Sequence, residues 1–208
     1  MEISIINYRD NLEKWDLVVS YLKLRKLIFK DQKQWNLVVV EEMEFEQYDT
    51  FMTLAHADKS SYIIAHSGTD VLGGGRLIRC DNPNSYMLRD AYFGKLEGLP
   101  KELCDKEPPV NDTTWELTRL ISKEKSNLAS TILSQTNEFL YSKGADKCLT
   151  LSHPILGRMG RQLGFTVNPL GPVLGNKDSG KFQAFESLIT NPKNLKSDLL
   201  KAASRRVR

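Results

Sequence analysis

Strands alternating with helices behind an opening hairpin predict an α/β protein, a mixed twisted sheet flanked by helices. Two observations carry that reading. The segment "SYIIAHSGTDVLGGGRLIRC" places two β-prone runs around the turn-like "SGTD", the pattern of a hairpin. Behind it, "TTWELTRLIS", "KCLTLS" and "KFQAFESLI" read as strands, while Leu128, Ile132, Leu133, Thr136, Phe139 and Leu140 recur at helical spacing.

Taken in order, the first element is a helix through "YLKLRKLIF", whose Leu24, Leu27 and Ile28 share one face until the pattern stops near Asp31. A polar loop then reaches Trp35. In the hairpin, Gly73, Gly74 and Gly75 open the second strand. No lysine-serine pair and no helix follow them, so they predict a bulge or a close backbone approach rather than a phosphate cradle. Ser126 or Asn127 is positioned to cap the 128–140 helix and Gly144 to end it. "PILGRMGRQL" reads as a short helix stopped by Gly164.

A chain of 208 residues with 40% hydrophobic content reads as one soluble globular domain, residues 1–208. The start "MEISIINYRDNLEKWDLVVS" has no basic segment followed by an apolar run, and no stretch of about 18 uncharged apolar residues occurs, so neither an export signal nor a membrane span is expected. Cys80, Cys104 and Cys148 lack metal-ligand spacing and are odd in number, which argues against a disulfide framework or a metal site and fits a reducing cytoplasm. A net charge of +3 is too small to argue for nucleic acid as a partner, and the basic end "KAASRRVR" reads as a solvated tail, about 192–208.

The polar residues of the strands are the informative ones. "WELTR" sets Glu116 and Arg119 three apart, on opposite faces of a regular strand, so that they share a pocket only if a bulge intervenes. Elsewhere the chain supplies Arg25, Phe29 and Trp35 in "RKLIFKDQKQW", Glu46 and Asp49 in "EFEQYD", and Arg76 in "GGGRL". Surface ion pairs contribute roughly 0–1 kcal/mol each, so stability is a poor reason to assemble so many charges, and preorganised binding of a polar ligand is a better one.

These residues, with "YMLRDAYF" at 86–93 and "LGP" at 170–172, resemble in order and spacing the LuxI-type acyl-homoserine-lactone synthases, the autoinducer synthases of bacterial quorum sensing, over most of residues 20–172. The resemblance implies a GNAT-like acyltransferase fold, S-adenosylmethionine as a substrate rather than a cofactor, and an acyl thioester, usually on acyl carrier protein. It implies an N-terminal substrate-capping segment of about 1–50. It also implies Glu116 and Arg119 as the catalytic pair, and Arg25, Phe29, Trp35, Glu46, Asp49, Arg76, Tyr92, Thr150 and Ser152 as substrate-binding residues.

This chain departs from the family pattern at Glu46, usually aspartate, at Arg79 and Cys80, usually proline and threonine, and at "HPILGR", which lacks a common glutamate-arginine pair.

The implied chemistry suits these side chains. The substrate's amine attacks the thioester carbonyl, and its carboxylate then displaces methylthioadenosine to close a lactone. Glu116 is expected to accept the amine proton, directly or through water, and Arg25 or Arg119 to hold the carboxylate by bidentate hydrogen bonds. Phe29 and Trp35 would face the sulfonium or adenine; the competing reading is a hydrophobic staple closing the N-terminal helices. Glu46, Asp49 and Arg76 either touch the ligand or tie the N-terminal segment to the sheet.

"SKEKSNLAS" lacks the glycines of a pyrophosphate loop, which favours carrier protein over acyl-CoA, and Lys123, Lys125, Lys143, Lys147, Arg158 and Arg161 are the cations available to an acidic carrier. Thr150 or Ser152 would line the acyl chain. Two rival functions remain open at this point: a GNAT-like N-acyltransferase acting on another amine from CoA, and a non-catalytic regulator retaining the fold.

Overall fold

The computed structural model describes residues 1–81, 86–123, 128–176 and 180–195. The cap expected from Ser126 or Asn127, and the basic tail beyond residue 195, lie outside them. The chain divides into two compact units, Met1–Ile78 with Leu117–Ile132, and Arg79–Glu116 with Leu133–Arg208.

The first unit is built on antiparallel strands β1 (Glu2–Ile6), β4 (Ser60–Ser67) and β5 (Asp70–Arg79, its last residue in the second unit), with the latter part of β6 (Thr114–Ser122) beside β5. The expected hairpin is β4–β5, closed through Gly68 in the left-handed region. Its register slips where Ala65 faces Gly73 but His66 faces Val71, leaving Leu72 as the extra residue of a bulge.

The three glycines answer to close approach as well. A Cβ on Gly73 would stand 2.5 Å from the Ile121 carbonyl oxygen, one on Gly74 2.6 Å from that of Ile63, and one on Gly75 2.7 Å from Leu117 Cδ1.

Helix α1 (Trp15–Arg25) buries Leu17, Val18, Tyr21, Leu22 and Leu24 into a core shared with Ile6, Tyr62, Ile64, Val71 and Ile121. Beyond Arg25 the helix widens into a π-helix, Lys26–Gln32, seen in the i→i+5 bond from Lys33 N–H to Ile28 C=O (3.1 Å). The wider turn shifts the buried face. Phe29, five residues after Leu24, is 5% exposed, whereas Leu27, expected on the same face as Leu24, is 45% exposed.

A two-residue hairpin of β2 (Val39–Val40) and β3 (Met43–Glu44) follows, its turn made by Glu41 and Glu42, both at positive φ as a type I′ loop demands. A 3₁₀ turn, Gln47–Phe51, then starts from a capping box between Glu46 and Asp49.

In the second unit the sheet order runs through β7 (Lys147–Ser152), β10 (Gly180–Leu188) and β8 (Val167–Pro169), with β9 (Leu174–Asn176) also on β10. Here α2 (Met87–Tyr92) precedes β6, and α4 (Pro154–Gln162) follows β7. Phe165, Val167, Phe185 and Leu195 form a core with Leu133 and Leu163. Gly157 and Gly160 let α4 lie against Phe185 and Val167, where a Cβ would meet side-chain carbons at 2.7 and 2.9 Å. Helix α3 (Leu128–Ser142) runs through both units and stops at Gly144 in the left-handed region, as its sequence requires.

Candidate active site

Six charged side chains of the first unit converge. Asp49 is the hub: its Oδ1 and Oδ2 accept from Arg25 Nη1 and Nη2, both at 2.9 Å, Oδ1 also from the Tyr62 hydroxyl (2.7 Å), and Oδ2 from the Glu46 backbone N–H (3.0 Å). Arg76 Nη1 lies 3.0 Å from Oδ1 as an ion pair outside hydrogen-bonding geometry. Arg25 Nε donates to Glu44, and Arg76 Nη2 to both Glu46 and Thr118 Oγ1. Arg119 Nη2 donates to Glu46 Oε2 at 2.6 Å and sits 3.2 Å from Glu44 Oε1.

Three guanidiniums meet three carboxylates, so the cluster is neutral without Glu116. Burial of this kind is tolerable only when every charge is compensated. Burial alone would raise the Asp49 and Glu46 carboxyls. Arg76 and Arg25 around Asp49, and Arg76 and Arg119 around Glu46, outweigh it and hold both below their ordinary values.

The cluster has an inside and an edge. Arg25, Glu44, Asp49 and Arg76 have no exposed side-chain surface, while Arg119 retains 12% and Glu46 20%. Arg119 itself has φ 55°, a left-handed residue inside a strand, and its carbonyl is held by the Tyr21 hydroxyl at 2.7 Å. Regular strand geometry in "WELTR" is therefore interrupted at Arg119 itself. Phe29 lies beneath this edge, 5.5 Å from the Arg119 guanidinium, and stacks on Trp35 with centroids 4.9 Å apart and planes 4° from parallel. Lys33 Nζ stands 5.1 Å from the Trp35 ring and 5.4 Å from that of Phe29, so this pair already attracts a cation.

Glu116, 1% exposed, belongs to the second unit and has a different role in the geometry. Its Oε2 accepts from Met87 N–H (2.9 Å) and its Oε1 from Leu88 N–H (2.8 Å), the opening amides of α2. Tyr92 ends that helix half-buried. Thr150, buried, and Ser152, half-buried, share one face of β7. In the same unit Trp115 Nε1 and Thr136 Oγ1 are buried without a hydrogen-bond partner.

The three cysteines are buried and form no disulfide. Burial pushes Cys104 up to about 11 and Cys80 well above its usual range, which leaves little thiolate for nucleophilic attack. Of the cations proposed for a carrier, Lys123 pairs with Asp70 (2.6 Å) and Lys147 with Glu186 (3.0 Å), Lys143, Arg158 and Arg161 are exposed, and Lys125 lies outside the described residues.

Sequence reasoning missed Glu44, Tyr21, Tyr62, Thr118 and Lys33. Glu44 stands among Glu41, Glu42 and Glu46, and the string alone does not single it out.

Sheet, flanking helices and charged cluster define the class: this is the GNAT-like acyltransferase fold. The chain superposes with a TM-score of 0.76, at 20% identity and over 97% of its length and 89% of the other's, on a CoA-dependent acyl-homoserine lactone synthase, BjaI, solved with SAM and isopentyl-CoA. The family model for autoinducer synthases matches residues 11–185, and the chain belongs to that family.

Among curated relatives, an acyl-homoserine-lactone synthase of Pseudomonas aeruginosa is 30% identical over 117 residues, 55% of this chain and 50% of that protein. One from Acinetobacter nosocomialis is 24% identical over 181 residues, 81% of this chain and 90% of that protein.

Proposed function

We propose that this chain is an acyl-homoserine-lactone synthase, which acylates the amine of S-adenosylmethionine from an acyl thioester, supplied by acyl carrier protein, and closes the lactone with release of methylthioadenosine. The observation that carries this reading is the edge of the charged cluster, where one part-exposed guanidinium stands beside an aromatic pair that already attracts a cation. A sulfonium-bearing amino acid presents the complementary groups, a carboxylate for Arg119 and a positive sulfur and purine for Phe29 and Trp35.

In this scheme Arg119 holds the substrate carboxylate in line for attack on Cγ, so alignment supplies much of the rate of lactone closure. Arg25, whose Nε, Nη1 and Nη2 are all engaged, acts through Asp49 and Glu44 as a positioning residue, and Arg76 through Asp49 and Glu46. Glu116 accepts the amine proton. Thr150 and Ser152, with Tyr92, are assigned to the acyl donor.

The test is incubation of purified protein with S-adenosylmethionine and octanoyl thioesters of acyl carrier protein and of CoA, with mass spectrometry of both products. Acyl-homoserine lactone and methylthioadenosine in equal amounts are expected, faster with the carrier thioester. Acylation without methylthioadenosine would identify an N-acyltransferase of another amine instead.

A further inference from the structure

Glu46 is built differently from the other carboxylates of the cluster. Each of its oxygens serves a different arginine, Oε1 facing Arg76 and Oε2 facing Arg119. Asp49 and Glu44 lie wholly inside, whereas Glu46 and Arg119 are the two members with solvent-facing surface. Arg119 is also incompletely satisfied. Its Nε is buried with no hydrogen-bond partner, and the approach of Glu44 Oε1 to Nη2 lacks hydrogen-bonding geometry. Its backbone stands at φ 55°, with its carbonyl held by the Tyr21 hydroxyl.

We propose that Glu46 is an internal counter-ion of Arg119, released by the carboxylate of the bound amino-acid substrate. This rests on S-adenosylmethionine being that substrate. In the ligand-free protein Glu46 Oε2 neutralises Arg119 while Oε1 stays on Arg76. A ligand carboxylate that reaches Arg119 supplies acceptors for Nη2 and the unsatisfied Nε together, and the Glu46 arm, retained by Arg76, turns its second oxygen toward water. Glu46 thereby sets the affinity for carboxylate-bearing ligands. It competes with them, and a ligand that lacks the group gains nothing from its departure.

Neutralising the competitor strengthens binding of ligands with a carboxylate and leaves those without one unaffected. Isothermal titration of the wild type, Glu46→Gln and Glu46→Asp with S-adenosylmethionine and with methylthioadenosine separates these effects. For Glu46→Gln the ratio of the two affinities is expected to shift about tenfold toward S-adenosylmethionine, with methylthioadenosine within about twofold of wild type. Glu46→Asp keeps the charge on a shorter arm that cannot span both arginines, and is expected to shift the ratio in the same direction by about threefold.

The thermal shift produced by each ligand is recorded alongside, because it compares each variant with its own ligand-free form. An unchanged ratio, or weaker S-adenosylmethionine binding with methylthioadenosine unaltered, would mean that Glu46 orients Arg119 rather than competing for its ligand, and would overturn the proposal. Failure of the wild type to bind either nucleoside would overturn the substrate assignment and this inference with it.

Discussion

A buried carboxylate shared by two arginines is replaceable in shape but not in charge. Asp49→Asn keeps the volume, yet it leaves Arg25 and Arg76 with a neutral partner and turns one acceptor into a donor facing guanidinium N–H groups. The loss expected is about 3–5 kcal/mol, the range found when one member of a buried ion pair is removed, read as a lower urea midpoint at pH 7. A midpoint within error of wild type would show that the cluster is hydrated.

Glu116→Gln tests a second buried carboxylate by the same logic. Glutamine offers one carbonyl oxygen for two amides, Met87 and Leu88, and sets its NH₂ against the other. Destabilisation of about 1.5–3 kcal/mol is expected, together with a lower kcat. If the thermal midpoint holds while turnover falls, proton transfer alone accounts for Glu116. At this scale Arg119 drew notice as a charge within a strand, while Arg25, Arg76 and Asp49 were legible as a set through the ordered resemblance to autoinducer synthases. Glu44 was not, because "EEMEFEQYD" offers several carboxylates and nothing in the string says which one turns inward.

Elements show the same division between what local chemistry dictates and what packing decides. The triple glycine of β5 was readable as close approach, since side chains are excluded by neighbours wherever the backbone goes. The π-helix was not, because nothing in "KLIFKDQ" distinguishes i→i+5 from i→i+4 bonding, and the choice is made by which residues the core accepts, here Phe29 rather than Leu27. The β2–β3 turn was also hidden, as Glu41-Glu42 lacks the asparagine or glycine that announces two left-handed residues.

Gly74 ties these elements to the site. A Cβ there meets the Ile63 carbonyl oxygen at 2.6 Å, which the sheet cannot yield, and the Tyr21 ring at 3.0 Å, which can move only by disturbing its hydrogen bond to the Arg119 carbonyl. Gly74→Ala is therefore expected to lower stability by about 1–3 kcal/mol and to weaken S-adenosylmethionine binding as well, measured by chemical unfolding and titration. Native affinity in a destabilised variant would uncouple Tyr21 from the conformation of Arg119.

For the molecule as a whole, the consequence of three matched charge pairs is a stability that depends on pH in one direction. Asp49 and Glu46 have ordinary values of 3.8 and 4.5, and in the folded protein Arg25, Arg76 and Arg119 hold both lower against the effect of burial. A depressed folded value means that the unfolded chain binds more protons in the interval between the two values, so unfolding becomes easier as pH falls through it. Above the unfolded value the full contribution is present.

The arginines stay charged throughout, so below that interval they face neutral carboxyls and the cluster loses its compensation. The urea midpoint is expected to change little between pH 7 and about 5, then to fall steeply below about 4. Asp49→Asn, already lacking the more strongly held proton-binding group, should begin lower at pH 7 and descend with a shallower slope, the two curves converging at acid pH. Parallel acid limbs in wild type and variant would assign the acid sensitivity to carboxylates outside the cluster.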